Sequence, residues 1–319
     1  MSTLFGGASS SSASTTVGDL KADVALDQPP TDSVSDLAFS PAPNGPDYLA
    51  VSSWDAKVRI YEIDGNGRSQ GRHVYEHSQP VLNVDFSKDG TKIASAGADK
   101  NVKVCDLASQ QDMVVGTHDQ PVRTVRFFDS GNGPMVVSGS WDKTVKYWDL
   151  RQQQPAATLT CQERVYTMDV RDNLCVVGTA DRYINVIDLK NPTKFYKTLQ
   201  SPLKWQTRVV SCFTDSAGFA IGSIEGRCAI QYVEDKDSSS NFSFKCHRDP
   251  PRQQRYQRLR RQRYLVPPRP RHLQHGRLRR YVPLLGQGRQ APSQGLPQRG
   301  RQHHGHHLQQ ERKHLCLRR

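Results

Sequence analysis

Four residues of this chain have the types needed to do chemistry together: His118, Ser138, Asp142 and Trp148. A serine nucleophile, an imidazole base and an orienting carboxylate are the parts of a hydrolytic triad, which is recognised by role and geometry, not by order along the chain. The same side chains can also form a buried relay, indole N–H to hydroxyl to imidazole to carboxylate, that satisfies polar groups and performs no reaction. A catalytic set has no reason to recur, whereas a packing device in a repeated unit does. His77 and Asp99 repeat two of the four members, with Cys105 where Trp148 would fall. The packing reading is therefore preferred and an enzyme is not expected. There is no nucleophile motif, phosphate loop or metal constellation, so neither cofactor nor metal is expected.

The elements that would position these residues follow from an internal repeat. Residues 136–150, VVSGSWDKTVKYWDL, have relatives at 49–63, 93–107, 175–189 and, weakest, 219–233. The turn acids Asp55, Asp99, Asp142, Asp181 and Glu225 are spaced by 44, 43, 39 and 44 residues. Within each unit, apolar and polar residues alternate as in a strand with one buried face: Val102 and Val104 around Lys103, Val145 and Tyr147 around Lys146. Preceding strings alternate likewise (VSDLAFSP from Val34, PVLNVDFS from Pro80, PVRTVRFF from Pro121, RVYTMDV from Arg164), and Lys88-Asp89-Gly90 and Gly131-Asn132-Gly133 are hairpin turns. One such four-stranded unit cannot bury its own faces, so the units must stack around an axis as the blades of an all-β propeller.

The net charge of +13 is unevenly placed. Residues 250–319 carry 18 Lys and Arg against one acid, Glu311, while residues 1–249 carry 26 against 30. The repeat region is mildly acidic, and any nucleic-acid argument from net charge rests on the tail. The chain has no run of about 18 apolar residues, so membrane insertion is not expected. Its seven cysteines lack metal spacing and read as small buried thiols of a reducing compartment.

The strings SSWDAKVRIYEI (52–63), GSWDKTVKYWDLR (139–151), SPLKWQTR (201–208), GFAIGSIEGR (218–227) and NFSFKCHR (241–248) resemble the nuclear-pore-associated mRNA-export WD-repeat proteins of fungi. The mitotic-checkpoint paralogue shares several of them. The Ser-rich extension over residues 1–30 and the SPLK string favour the export branch. The resemblance implies a seven-bladed, monomeric WD40 propeller. It would sit at the nuclear pore and envelope, shuttle to the cytoplasm, bind a short acidic segment of an FG-nucleoporin and assist messenger ribonucleoprotein, with RNA contact secondary. The positions matching the family's gripping residues are Trp54, Trp141 and Arg227. Exposed Trp and Arg suit an interface, although a Trp capping a blade edge would look the same in sequence. Lys143 joins them as a candidate, with a solvated hairpin charge as the alternative for it and for Lys57. Repeat two departs from the pattern, with Ala98 at the turn, and Trp205 stands where Tyr or His is expected.

After Arg248 the alternation stops. Residues 252–319 are rich in Arg, Gln, Pro, Leu and His, a composition that fits a disordered basic tail or a low-complexity RNA-binding segment. A one-base shift of reading frame accounts for more. Codons compatible with residues 258–275 encode VYAVNDISFHPVHGTFS in the shifted frame. Residues 276–289 permit AGSDGTFHFWDKD and residues 311–319 permit SGNIFAYAV, strings similar to the family's last blades. The expected organisation is a disordered extension over 1–30, five blades over 31–248, and an out-of-frame, disordered tail over 249–319. The cluster His303, His304, His306 and His307 is then not a metal site.

Overall fold

In the computed structural model, which describes residues 24–41, 46–131, 133–152 and 154–246, the chain forms five four-stranded antiparallel sheets. The first contains β1 (Val34–Phe39), β2 (Asp47–Ser53), β3 (Lys57–Ile63) and β4 (Ser69–Glu76). The second contains β5 (Val81–Phe86), β6 (Lys92–Gly97), β7 (Asn101–Asp106) and β8 (Gln111–Thr117). The third contains β9 (Val122–Asp129), β10 (Pro134–Ser140), β11 (Thr144–Asp149) and β12 (Pro155–Thr160). The fourth contains β13 (Val165–Arg171), β14 (Leu174–Thr179), β15 (Tyr183–Asp188) and β16 (Lys197–Gln200). The fifth contains β17 (Thr207–Cys212), β18 (Gly218–Ser223), β19 (Arg227–Tyr232) and β20 (Phe242–Lys245). Strands within each sheet lie side by side in chain order, and these are the five repeats read from the sequence.

Burial explains the composition of each strand. The second strands β14 and β18 are buried along their whole length, which is why LCVVGT and GFAIGS are continuous runs of apolar and small residues. The fourth strands are largely exposed or half-buried because they form the outer edge, and β16 (KTLQ) and β20 (FSFK) alternate between the two. Each core is shared between consecutive sheets. Ala94, Ala96, Val102 and Val104 of the second pack on Val125, Phe127, Val136 and Trp148 of the third. Val137, Val145 and Tyr147 of the third pack on Met168, Cys175, Val177 and Ile187 of the fourth. Burying each large aliphatic side chain is worth about 1.5–3 kcal/mol, and no sheet could do so alone.

The first strands β1, β5, β9, β13 and β17 pack successively side by side. Polar side chains set their register. Asp36 accepts from the Asn83 amide and, at 3.3 Å, from the Val84 N–H. Asn83 Oδ1 accepts from the Val125 N–H at 2.8 Å and Asp85 from the Phe127 N–H at 2.9 Å. Thr167 accepts from the Val210 N–H at 3.1 Å and Asp169 from the Cys212 N–H at 2.8 Å. Each bond joins one sheet to the next. At β9 the device changes: Arg126 donates back to Asn83 at 2.7 Å and forward to Asp169 at 3.2 Å.

Of the extension expected to be disordered over residues 1–30, residues 24–30 are described, and they are tied to the first sheet. The Asp27 N–H donates to Ser69, the Tyr61 hydroxyl donates to the Gln28 carbonyl, and Leu26 packs on Leu49, Val51 and Tyr61. Leu26 and these bonds cover an apolar face of the first sheet, so ordered structure starts before residue 31. The six described cysteines are buried thiols with no disulfide among them, and burial raises Cys105 to about 11 and Cys161 to about 12. Residues 1–23 and 247–319, with the expectations for the basic tail, its reading frame and the histidines at 303–307, lie outside the described residues.

Candidate docking surface and the network beneath it

The turn joining second and third strands repeats the same backbone in all five sheets. The residue after each turn acid is left-handed: Ala56, Lys100, Lys143, Arg182 and Gly226, with φ from 65° to 74°. For non-glycine residues this conformation costs roughly 1–2 kcal/mol, and in the first three sheets the acid offsets it. Asp55, Asp99 and Asp142 accept from the N–H two residues on, at 3.1, 3.2 and 2.8 Å. The residue before each acid donates its N–H back across the sheet, as Trp54 does to Ser33, Trp141 to Pro121 and Ile224 to Gln206. Five equivalent turns therefore define one rim. Trp54 stands on it in the first sheet and Trp141 in the third, 54% and 37% exposed, while Trp148 of the same repeat is buried.

Arg227 begins β19 on that rim in the fifth sheet. Its nearest carboxylate, Glu225, is 3.8 Å away, and its bond to Ser243 is a long 3.4 Å. Lys143 is held by Glu163 at 2.5 Å and Lys57 by Glu76 at 2.7 Å. The sequence-predicted residues thus share a rim but belong to three different sheets.

Beneath the turn of the third sheet, the four residues that resembled a triad form one continuous relay. The Trp148 indole N–H donates to Ser138 Oγ at 2.7 Å, Ser138 lies 2.7 Å from His118 Nε2, and His118 Nδ1 lies 2.8 Å from Asp142. Burial depresses the His118 pKa below the ordinary imidazole value, with Asp142 pulling the other way. The neutral ring then donates from Nδ1 to Asp142 and accepts at Nε2 from the Ser138 hydroxyl. Burial also opposes ionisation of Asp142, but bonds from His118 and Thr144 outweigh it and hold the carboxyl below the usual carboxylate range. The distances would suit a hydrolytic triad; the access would not. Ser138 is 0% exposed, and its oxygen already receives the indole N–H. Gly116 lies under the indole, where a Cβ would collide with the ring.

The second sheet keeps three members, one more than the sequence indicated. His77 bonds Asp99 at 3.1 Å and Ser95 at 2.8 Å. Burial again opposes the Asp99 carboxylate, and bonds from His77 and from the Asn101 and Ser78 N–H groups bring its pKa down to about 2. Ser95 stands 43 residues before Ser138, a signal that only alignment of the repeats reveals. In the first sheet the partners change: Asp55 accepts from Thr31 at 3.0 Å and pairs with Arg59 at 2.7 Å.

Five meander sheets, a shared turn acid and a His–Ser–Asp–Trp relay define a WD-repeat propeller protein. The family model for the WD domain, G-beta repeat, matches residues 25–62, 69–106 and 110–149. The mRNA export factor GLE2 of Chaetomium thermophilum is 68% identical over 252 residues, 79% of this chain and 70% of that protein. The Poly(A)+ RNA export protein of Schizosaccharomyces pombe is 54% identical over 247 residues, 77% and 69% of the two chains. Protein Rae1 of Drosophila melanogaster is 44% identical over 230 residues, 71% and 66%. The chain belongs to this family of mRNA export WD40 proteins.

Proposed function

We propose that this protein is a non-enzymatic adaptor at the nuclear pore, whose rim of turns docks a short acidic segment of an FG-nucleoporin in support of mRNA export. The relatives' names support the export role over a mitotic-checkpoint one. The observation that carries the docking surface is the placement of Trp54 and Trp141: two large indoles exposed at equivalent turns of the first and third sheets, while Trp148 of the third is buried. Covering such side chains at about 25 cal/mol per Å² supplies a few kcal/mol of affinity. Arg227, only loosely held by Glu225, supplies a positive charge on the same rim. Lys143 is the weaker candidate, because Glu163 must release it first.

Arg227→Glu is expected to weaken capture of an acidic nucleoporin segment by at least tenfold, about 1.4 kcal/mol, since an attraction becomes a repulsion. A binding isotherm that does not move would remove Arg227 from the interface.

A further inference from the structure

In every sheet the pairing between the first two strands slips at the same place. Ser35, Leu82, Arg123, Tyr166 and Arg208, each the second residue of its first strand, have no partner on the second strand, and pairing resumes one residue further on. Such a bulge leaves its residue outside the ladder and re-aims the side chain. The residue before each first strand accepts from a rim turn, so the five bulges form a ring just inside the rim, where the first strands pack side by side. Neighbours in the ring touch. The Ser35 hydroxyl donates to the Val81 carbonyl at 2.6 Å, and Arg123 donates to the Leu82 carbonyl at 3.2 Å.

The ring is not uniform. The first and second sheets contribute a hydroxyl and an apolar side chain, whereas the third, fourth and fifth contribute Arg123, Tyr166 and Arg208, all half-buried. Arg123 is in no ion pair among the described residues. Burial, and then the charges of Arg208 and Arg126, push its pKa down to about 10. Arg126 is answered by Asp169, and Arg164, whose guanidinium lies 5.9 Å from the centre of the Tyr166 ring, is answered by Glu163. Arg123 alone of these three has no carboxylate beside it among the described residues.

We propose that this ring holds a free tetrahedral oxyanion, a phosphate, between Arg123, Tyr166 and Arg208. Arg123 gives one N–H to Leu82 and keeps the others for the ligand, Arg208 brings a second planar fork, and the Tyr166 hydroxyl donates from the strand between them. Donors that approach from three sheets suit a ligand with oxygens on every side. A side-chain carboxylate offers its two oxygens in one plane, and a phosphodiester within a chain has two of its four oxygens esterified, so either leaves a donor of the ring unanswered. The bound ion would tie three sheets together and remove the repulsion between the guanidinium groups. The site uses none of Trp54, Trp141 and Arg227 and stands whether or not the rim docks a nucleoporin.

Residues 250–319, with 18 Lys and Arg against one acid, attract anions on their own account, and phosphate and sulfate stabilise folded proteins through the solvent. The readout is therefore the difference between variants of the full chain. Melting curves are followed at constant ionic strength while sodium phosphate, sulfate or acetate replaces chloride. Phosphate and sulfate are expected to raise the wild-type melting temperature along a saturating curve, and acetate is not. Arg123→Gln and Arg208→Gln should each raise the half-saturating phosphate concentration about tenfold or more, while Lys190→Gln, which removes an exposed cation beyond β15, should leave it in place. Hydrogen exchange of the wild-type protein reads the same site without a substitution: phosphate should slow exchange at residues 122–124 and 207–209. The proposal is overturned if the two arginine variants keep the wild-type response, or if phosphate protects only residues within 250–319. Acetate that saturates as phosphate does would give the ring to a carboxylate. An oligoribonucleotide whose binding falls in Arg123→Gln, with no phosphate response in the wild type, would give it to a nucleic-acid strand; either result also overturns the proposal.

Discussion

The third and fourth sheets share a backbone plan and fill it with opposite chemistry. Where the third has His118, Ser138, Asp142 and Trp148, the fourth has Cys161, Val177, Asp181 and Ile187 at the equivalent positions. Cys161 takes the same place as His118: its N–H donates to Lys143 O as that of His118 donates to Lys100 O. Three of the four positions in the fourth sheet are apolar and buried in one cluster with Tyr147 and Met168, and Asp181 is left exposed at the turn. Both solutions are complete. One satisfies every polar member, and the other removes the buried ones. A half-made relay would be worse than either, because an orphaned buried donor or acceptor costs about 1–3 kcal/mol. The repeat is thus specified by strand pairing and inter-sheet packing, and the relay is one way of filling a space that the backbone defines.

That contrast can be broken most severely at Trp148. Trp148→Ala removes the indole from between the second and third sheets, vacates the space over Gly116 and takes away the N–H that Ser138 accepts. A loss of about 3–5 kcal/mol is expected in urea denaturation. The sharpest comparison pairs two equivalent acids. Asp142→Ala should cost about 1.5–3 kcal/mol, since its carboxylate holds His118, Thr144 and the Asp119 N–H. Asp181→Ala should stay within about 0.5 kcal/mol of wild type. Equal losses would show that the turn acid acts only through its turn, and the relay would have no stabilising role.

A further effect is expected in pH dependence. Burial raises the Asp85 pKa from 3.8 to about 6, although Arg126 and the Phe127 N–H favour its ionised form. A carboxyl raised in the folded state binds its proton more tightly there. Its contribution is therefore complete below about pH 4 and is lost as pH rises through about 6. His118, lowered by burial, works in the opposite sense, losing stability as pH falls below the ordinary imidazole value. Asp85→Asn keeps an acceptor for the Phe127 N–H and isolates the first effect. The variant should gain in melting temperature relative to wild type on going from pH 4 to pH 7. A constant difference would mean that Asp85 does not titrate in that window.

The repeat was legible because an acid recurs beside each left-handed turn residue, and in the first three sheets its carboxylate holds the turn. Even the short interval of 39 residues before Asp181 has a local cause. Only Asp172 and Asn173 join β13 to β14, with Asp172 left-handed at φ 49°, where the third sheet needs the longer 130–133 loop. The inter-sheet acceptors were not legible. Asp36, Asn83 and Thr167 occupy the third position of their strands and read as the polar half of an alternation. Their partners stand 42 to 48 residues away in the next repeat, beyond any local pattern. The rim was half legible. Trp54 and Trp141 are conspicuous beside their turn acids, but the glutamate that holds Lys143 stands 20 residues on, at Glu163, and only the fold brings the two together.

Those inter-sheet bonds also have a direction in time. Asp36, Asn83, Asp85, Thr167 and Asp169 each precede in the chain the backbone N–H they receive. A polypeptide emerging from its N-terminus therefore presents each acceptor before its donor exists. Every completed sheet is a waiting template, and the next first strand can be captured in register as it arrives. Synthesis can then proceed by accretion, one sheet at a time, without a search among the four others. Arg126 is the exception that looks both ways, reaching back to Asn83 and forward to Asp169. In such an order its own sheet would dock before the fourth is made, with a donor in place for the strand that brings Asp169.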